Sequence, residues 1–189
     1  MKHLQVLSQK QVFNHPWERI FIERVKAENG EEFDYLLSEP NDFVIVVPMI
    51  NEDTVLLVKQ YKHGAQEELL GFPAGFMNPN ESPLECAKRE LMEETGYTAQ
   101  TFKEVARLSE NPTRCRNSYY IVFAYKATPA HNGKIQNNDA LEGSIEQYTV
   151  SVAEIFTPEI LNQIKAGPML SVLPFIMRGQ DSVAGNRQQ

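Results

Sequence analysis

The run Glu90-Leu91-Met92-Glu93-Glu94 places three carboxylates where they can act together. On a helix, at about 100° per residue, Glu90, Glu93 and Glu94 share an arc about 100° wide. Such an arc is costly in two ways. The like charges four residues apart, Glu90 and Glu94, repel by roughly 0.2–0.5 kcal/mol. Carboxylates in the last turns of a helix also oppose its dipole, which favours cations there. Local conflict of this kind is tolerated at functional sites, and a divalent cation turns the repulsion into attraction. Oxygen-only ligands suit Mg2+ or Mn2+, which bind through few carboxylates together with water and substrate phosphate. Taken alone, the three acids read better as a solvated charged helix face. The residues around them decide between the two.

The helix that must carry the acids has readable ends. Ser82 can cap, Pro83 suits the first helical position, and Glu85 completes a capping box. Gly96 suits the left-handed position past the last turn. The pattern predicts a helix over Pro83–Thr95, with Leu84, Ala87, Leu91 and Met92 as its buried stripe. The acids lie beside or opposite that stripe and are expected to reach solvent or a cleft.

Read from Gly75 through Glu81 to Arg89-Glu90-Leu91-Met92-Glu93-Glu94-Thr95-Gly96-Tyr97, the segment resembles the Nudix box, G-x5-E-x7-R-E-U-x-E-E-x-G-U, where U is bulky and apolar. Every specified position matches, the last U being the aromatic Tyr97. The resemblance implies an α+β protein with the Nudix fold, an α/β/α sandwich around a mixed β-sheet, the box forming a loop-helix-loop. It also implies hydrolysis of a nucleoside diphosphate linked to another moiety. By position, Glu90, Glu93, Glu94 and the Ala74 carbonyl correspond to the metal ligands, and Glu93 and Glu94 to catalytic acids. Arg89 corresponds to a structural arginine and Glu81 to its support or an outer metal contact. Gly75 lets the loop approach the ions. The implied chemistry is metal-assisted attack of water on a phosphorus of the pyrophosphate bridge, with Mg2+ as cofactor and Mn2+ as the alternative. The base is expected on a later loop, at Glu142, with Glu146 and Asp139 as alternatives.

Three further features resemble the ADP-ribose pyrophosphatase and nucleoside-diphosphate-sugar hydrolase branch. Val58-Lys59-Gln60-Tyr61-Lys62 and Glu67 to Gly75 precede the box, Pro112 falls 15 residues after Tyr97, and an extension containing Pro16-Trp17 lies before the domain. Extra N-terminal strands imply a homodimer. The stretch Thr113-Arg114-Cys115-Arg116-Asn117 departs from the Gly-rich, Glu-containing pattern of that branch. Arg114 and Arg116 could contact phosphate or sugar, because guanidinium forks suit phosphate, or could form surface ion pairs. Lys62 is a candidate for the diphosphate and Trp17 for base stacking, against a strand-end lysine and ordinary packing.

The elements that must position these residues are mostly strands. Val12 to Leu37 reads as strand pieces around the Asn29-Gly30 turn. Phe43 to Val47 and Val55 to Val58 read as buried strands, with Phe102 to Leu108, Ser118 to Tyr125 and Tyr148 to Val150 as others. Glu159 to Lys165 and Ser171 to Arg178 read as helical, with Pro174 against the second. The expected organisation is an N-terminal strand extension over 1–40, a hydrolase domain over 41–178 and a flexible tail over 179–189.

The 189 residues carry 18 Lys+Arg and 25 Asp+Glu, a net charge of −7. Nucleic acid is an unsuitable partner for such a surface. The segment from Gly75 to Tyr97 has five acids and two bases, so it holds three of the seven surplus charges. An acidic metal site reconciles that balance with an anionic substrate. Two cysteines, no signal-like N-terminus and no membrane-length apolar stretch imply a cytoplasmic protein. Cys86 beside the acids and four histidines without ligand spacing support neither thiol chemistry nor zinc. The leading reading is Mg2+-dependent cleavage of ADP-ribose to AMP and ribose 5-phosphate. GDP-mannose, another nucleotide sugar, a dinucleotide, a CoA derivative or a nucleoside triphosphate are alternative substrates. A non-catalytic nucleotide-sugar-binding module is the alternative of another class, opposed by the three intact acids.

Overall fold

A computed structural model describes residues 4–130 and 144–178. The chain divides into two compact units. One contains the residues up to Asp42 together with Leu108–Tyr119, and the other Phe43–Arg107 with the residues from Tyr120 onward.

The first unit is an antiparallel meander of β1 (Gln5–His15), β2 (Glu18–Lys26) and β3 (Glu32–Pro40). Pro16-Trp17 forms the turn between β1 and β2, where His15 pairs with Glu18. Gly30 adopts φ 86° in the following turn, a conformation that costs a glycine little. The sheet begins well before Val12, where the apolar pattern starts. Every residue of β1 is exposed, so its strand character comes from pairing with β2 and leaves little hydrophobic trace. The Leu108–Tyr119 segment is pinned to β3 by backbone bonds: Ser38 N–H donates to Arg114 O at 2.8 Å, and Arg116 N–H to Ser38 O at 3.0 Å.

The second unit is built on β4 (Phe43–Met49), β5 (Thr54–Lys62), β6 (Glu67–Gly71), β7 (Ala74–Phe76), β8 (Tyr97–Ser109), β9 (Ser118–Pro129) and β10 (Glu146–Ser151). The strand order is β10-β5-β4-β9-β8, with β6 paired to β5 and β7 to β4. The short strands β6 and β7 bring the chain back across β5 and β4 and deliver Ala74 and Gly75 to the start of the box.

Helix α1 (Pro83–Thr95) has the predicted limits. Glu85 N–H donates to Ser82 Oγ at 3.3 Å, Ser82 N–H to Glu85 Oε2 at 2.9 Å, and Gly96 closes the helix at φ 70°. Its buried face differs from expectation. Val44, Val46, Val122 and Ala124 pack with Cys86, Ala87 and Leu91, while Leu84 is exposed and Met92 half-buried. Cys86 joins the core because it lies one turn before Glu90, on the row that faces β7.

After β10 come α2 (Val152–Ile155), α3 (Pro158–Leu161) and α4 (Gly167–Leu170), then a helical segment at 173–178. The predicted helix over Glu159 to Lys165 is cut short at Leu161, and a new turn starts at Gly167-Pro168. Pro174 sits in the first turn of 173–178, where its missing N–H is harmless.

Candidate active site

Arg89 organises the box. Its Nε and Nη2 donate to Glu81 Oε1 and Oε2, both at 2.8 Å, a bidentate fork. Nη2 also donates to the Phe76 carbonyl at 2.9 Å, and Asn78 N–H donates to Glu81 at 2.8 Å. The loop before α1 is thereby fastened to the helix. The remaining nitrogen, Nη1, donates to Glu90 Oε1 at 2.5 Å and to Glu93 Oε2 at 3.0 Å. One guanidinium therefore joins three acids distant in sequence role but adjacent in space.

The Arg89 hydrogen bond holds the Glu81 carboxyl below its ordinary pKa. A group depressed in the folded state contributes stability above its unfolded pKa of about 4.3 and loses that contribution as pH falls through the folded value. Glu81→Gln should therefore cost roughly 1–3 kcal/mol at pH 7, and the gap from wild type should close as pH falls below about 4. Thermal unfolding across pH checks this; a gap constant with pH would contradict it.

Glu90 and Glu94 are 8% and 2% exposed, so the acids lie deeper than their helical arc implied. The two sit one and two turns after Cys86 on the face toward β7, whereas Glu93 turns outward. Glu94 Oε2 accepts from Ala74 N–H at 3.2 Å. A Cβ added to Gly75 would lie 2.0 Å from Glu90 Oε1, so the carboxylate occupies the space that the glycine leaves.

A cleft opens beside Glu94. Its floor is one face of the β5–β6 ladder: Val58, Gln60 and Lys62 alternate along β5, opposite Gly71, Leu69 and Glu67. Ala74 and Glu94 line it, as do Ala166 and Met169 from the C-terminal segment. Met169 packs against Gly71, with its Cγ 3.3 Å from where a Cβ there would stand. Sequence reasoning missed Gln60, Ala166 and Met169. For Gln60 the signal was a polar residue inside an apolar strand; for the other two no local pattern existed.

The structure brings Ala74, Gly75, Glu81, Arg89, Glu90, Glu93 and Glu94 together, with Lys62 in the Glu94 cleft. Trp17, Arg114 and Arg116 belong to the first unit. Within it, Arg116 donates to Glu23 at 2.5 Å and stacks over Phe21 at 5.5 Å. Trp17 is 56% exposed and meets the His15 ring edge-on, so it is not packed into a core. Glu142 and Asp139 lie outside the described residues. Glu146 pairs with Lys59, which points to the face of β5 opposite Gln60, and accepts from the Tyr148 hydroxyl at 2.6 Å. Burial pushes the Cys86 thiol up to about 12, which removes thiolate chemistry there.

The donor set fits a hard divalent cation: carboxylate oxygens with no nitrogen or sulfur ligand among them. Among the described residues, no three acidic, histidine or cysteine side chains are gathered into an ion cage. Arg89 Nη1 supplies a positive charge shared by Glu90 and Glu93. Its Nε and Nη2 are bonded to Glu81.

Comparison with known proteins bears on the whole arrangement. Over 116 residues the chain is 34% identical to the ADP compounds hydrolase NudE of Escherichia coli (strain K12). Over 114 residues it is 28% identical to the ADP-ribose pyrophosphatase of Bacillus subtilis (strain 168). Each match covers 59% of this chain and 62% of the relative. A solved structure of an ADP compounds hydrolase superposes with a TM-score of 0.81, covering 97% of this chain and 95% of that one at 24% identity. That likeness shows the fold. The NUDIX domain profile matches residues 40–171, well over half of the chain, including Ala74, Gly75, Glu81, Arg89, Glu90, Glu93 and Glu94. The chain belongs to the NUDIX family.

Proposed function

We propose that the protein hydrolyses the pyrophosphate bond of a nucleoside-diphosphate sugar in a Mg2+-dependent reaction, with ADP-ribose giving AMP and ribose 5-phosphate. The observation that carries this reading is the joining of Glu90 and Glu93 to the Arg89–Glu81 scaffold, beside a cleft that Glu94 lines. The similarity to an ADP-ribose pyrophosphatase and an ADP compounds hydrolase supports the substrate class.

In this reading Glu90, Glu93, Glu94 and the Ala74 carbonyl hold the cation. Bound there, a divalent ion supplies charge neutralisation at phosphate oxygens and a lower pKa for water. Glu94 and Glu93 orient the attacking water, and Glu142 is the proposed acceptor of its proton. Water attacks one phosphorus, the bond from that phosphorus to the bridging oxygen breaks, and the other phosphate leaves with the bridging oxygen. Gly75 keeps Glu90 in place, and Arg89 holds the loop to the helix. Lys62 contacts the diphosphate; Arg114, Arg116 and Trp17 are the remaining proposed substrate contacts.

The reading includes a homodimer formed through the N-terminal sheet. The edge strand β1 is exposed along its whole length and carries Val6, Leu7, Val12 and Phe13. It also includes a cytoplasmic setting, which the two free cysteines suit. No helix among the described residues is long and apolar enough to cross a membrane.

The test is a substrate panel of ADP-ribose, GDP-mannose, a dinucleotide, CoA and a nucleoside triphosphate, each with Mg2+, Mn2+ or EDTA. ADP-ribose with Mg2+ should turn over fastest, and EDTA should reduce the rate to background. If no diphosphate substrate reacts with either cation, the enzymatic reading fails.

A further inference from the structure

Gln60 is 3% exposed on β5, at the floor of the cleft that Glu94 lines. Lys62 Nζ donates to its Oε1 at 2.5 Å. An ammonium has three donors and no acceptor, so the amide atom it touches must be the oxygen. The amide is therefore locked in one orientation, and Nε2 is turned away from Lys62. Among the described residues, that nitrogen has no hydrogen-bond partner. An unpaired buried N–H2 costs roughly 1–3 kcal/mol, and such a group in a native protein calls for an explanation. Most other lining residues (Val58, Leu69, Leu70, Gly71, Phe72, Met169) offer it no side-chain acceptor.

The polar groups of the cleft are unlike one another. Lys62 and the buried Gln60 Nε2 offer donors only, whereas Glu94, which lines the same cleft, is an acceptor. A phosphate has acceptors only. It complements the donor pair directly and meets Glu94 through whatever cation Glu94 holds. We infer that Gln60, oriented by Lys62, donates a hydrogen bond from the floor of this cleft to a non-bridging phosphate oxygen of the substrate. The inference rests on the reading of the site as a diphosphate hydrolase and adds a specific contact to it: the orphaned donor is satisfied only when substrate is bound.

Two opposite consequences separate this role from a structural one. Gln60→Met keeps the side-chain length and removes the unpaired donor, so thermal stability should hold or rise. Binding of ADP to the full-length protein with Mg2+, measured by calorimetry, should weaken about tenfold, equivalent to 1.4 kcal/mol. Binding of adenosine, which has no phosphate, should not change. Gln60→Glu should weaken ADP further by placing a carboxylate against phosphate. Unchanged ADP affinity in Gln60→Met would overturn the inference. So would a fall in stability without a selective loss of ADP over adenosine, since the amide would then have its partner in the free protein. These are binding measurements, so their failure is distinguishable from failure of the hydrolase reading, which would show as absent turnover in wild type.

Discussion

Glu94→Gln should reduce turnover of a nucleoside-diphosphate substrate by roughly 1,000-fold while leaving the fold intact. Removing a group that handles a proton or its carrier in the transition state costs about 10²–10⁴ in rate. The glutamate is 2% exposed and accepts from the Ala74 N–H at 3.2 Å. Glutamine keeps the shape and one carbonyl oxygen for that bond. It loses the charge that binds a cation and orients water. Stability should stay level or rise slightly, because the substitution relieves repulsion from Glu90 one turn away. Steady-state kinetics and thermal unfolding of the same preparation check both halves. Near-normal turnover would remove Glu94 from the chemistry; loss of the folded state would make its role structural.

Gly75→Ala should be nearly as damaging to activity by a different route. The new methyl would stand 2.0 Å from Glu90 Oε1 and 2.1 Å from its carboxyl carbon. Carbon and oxygen cannot approach so closely, so Glu90 must swing out or β7 must shift away from α1. Overpacking of this kind costs about 1–3 kcal/mol, and a misplacement of about 1 Å at a reacting centre costs about 100-fold in rate. The expected variant is folded, less stable and at least 100-fold slower, with weaker Mg2+ binding by calorimetry. Unchanged Mg2+ binding would show that the packing of Glu90 on Gly75 has no bearing on the cation. Glu81→Gln loosens the same scaffold from the other side and is separated by its pH dependence.

The reasons for these effects were unevenly legible in the sequence. Helix α1 could be placed residue by residue, since Ser82, Pro83, Glu85 and Gly96 act through local backbone geometry. The grouping of Gly75, Glu81, Arg89, Glu90 and Glu94 followed from motif spacing. Their burial did not. Helical angles place Glu90 and Glu94 relative to other side chains of α1, but whether that face meets water depends on β7, a three-residue strand with no hydrophobic signature. Cys86 was underrated as a core residue for the same reason; Met92 lies too far round the helix, whereas Leu84 shares the angular position of the buried Leu91 and Thr95 but sits in the first turn and is exposed. Strand β1 was seen only from Val12 onward, as its exposed residues carry no burial pattern. The cleft was the least accessible feature. Gln60 and Met169 are more than 100 residues apart and meet through the pairing of β5 with β6 and the return of the C-terminal segment. A sequence reading contains no term for that meeting.

The central claim is that the acids of α1 serve cleavage of a pyrophosphate bridge. Identification of the products formed from ADP-ribose by the full-length protein with Mg2+ tests it most directly. The account predicts AMP and ribose 5-phosphate in equal amounts, with both absent in Glu94→Gln and in EDTA. Release of ADP and free ribose, or equal product from wild type and Glu94→Gln, would contradict it.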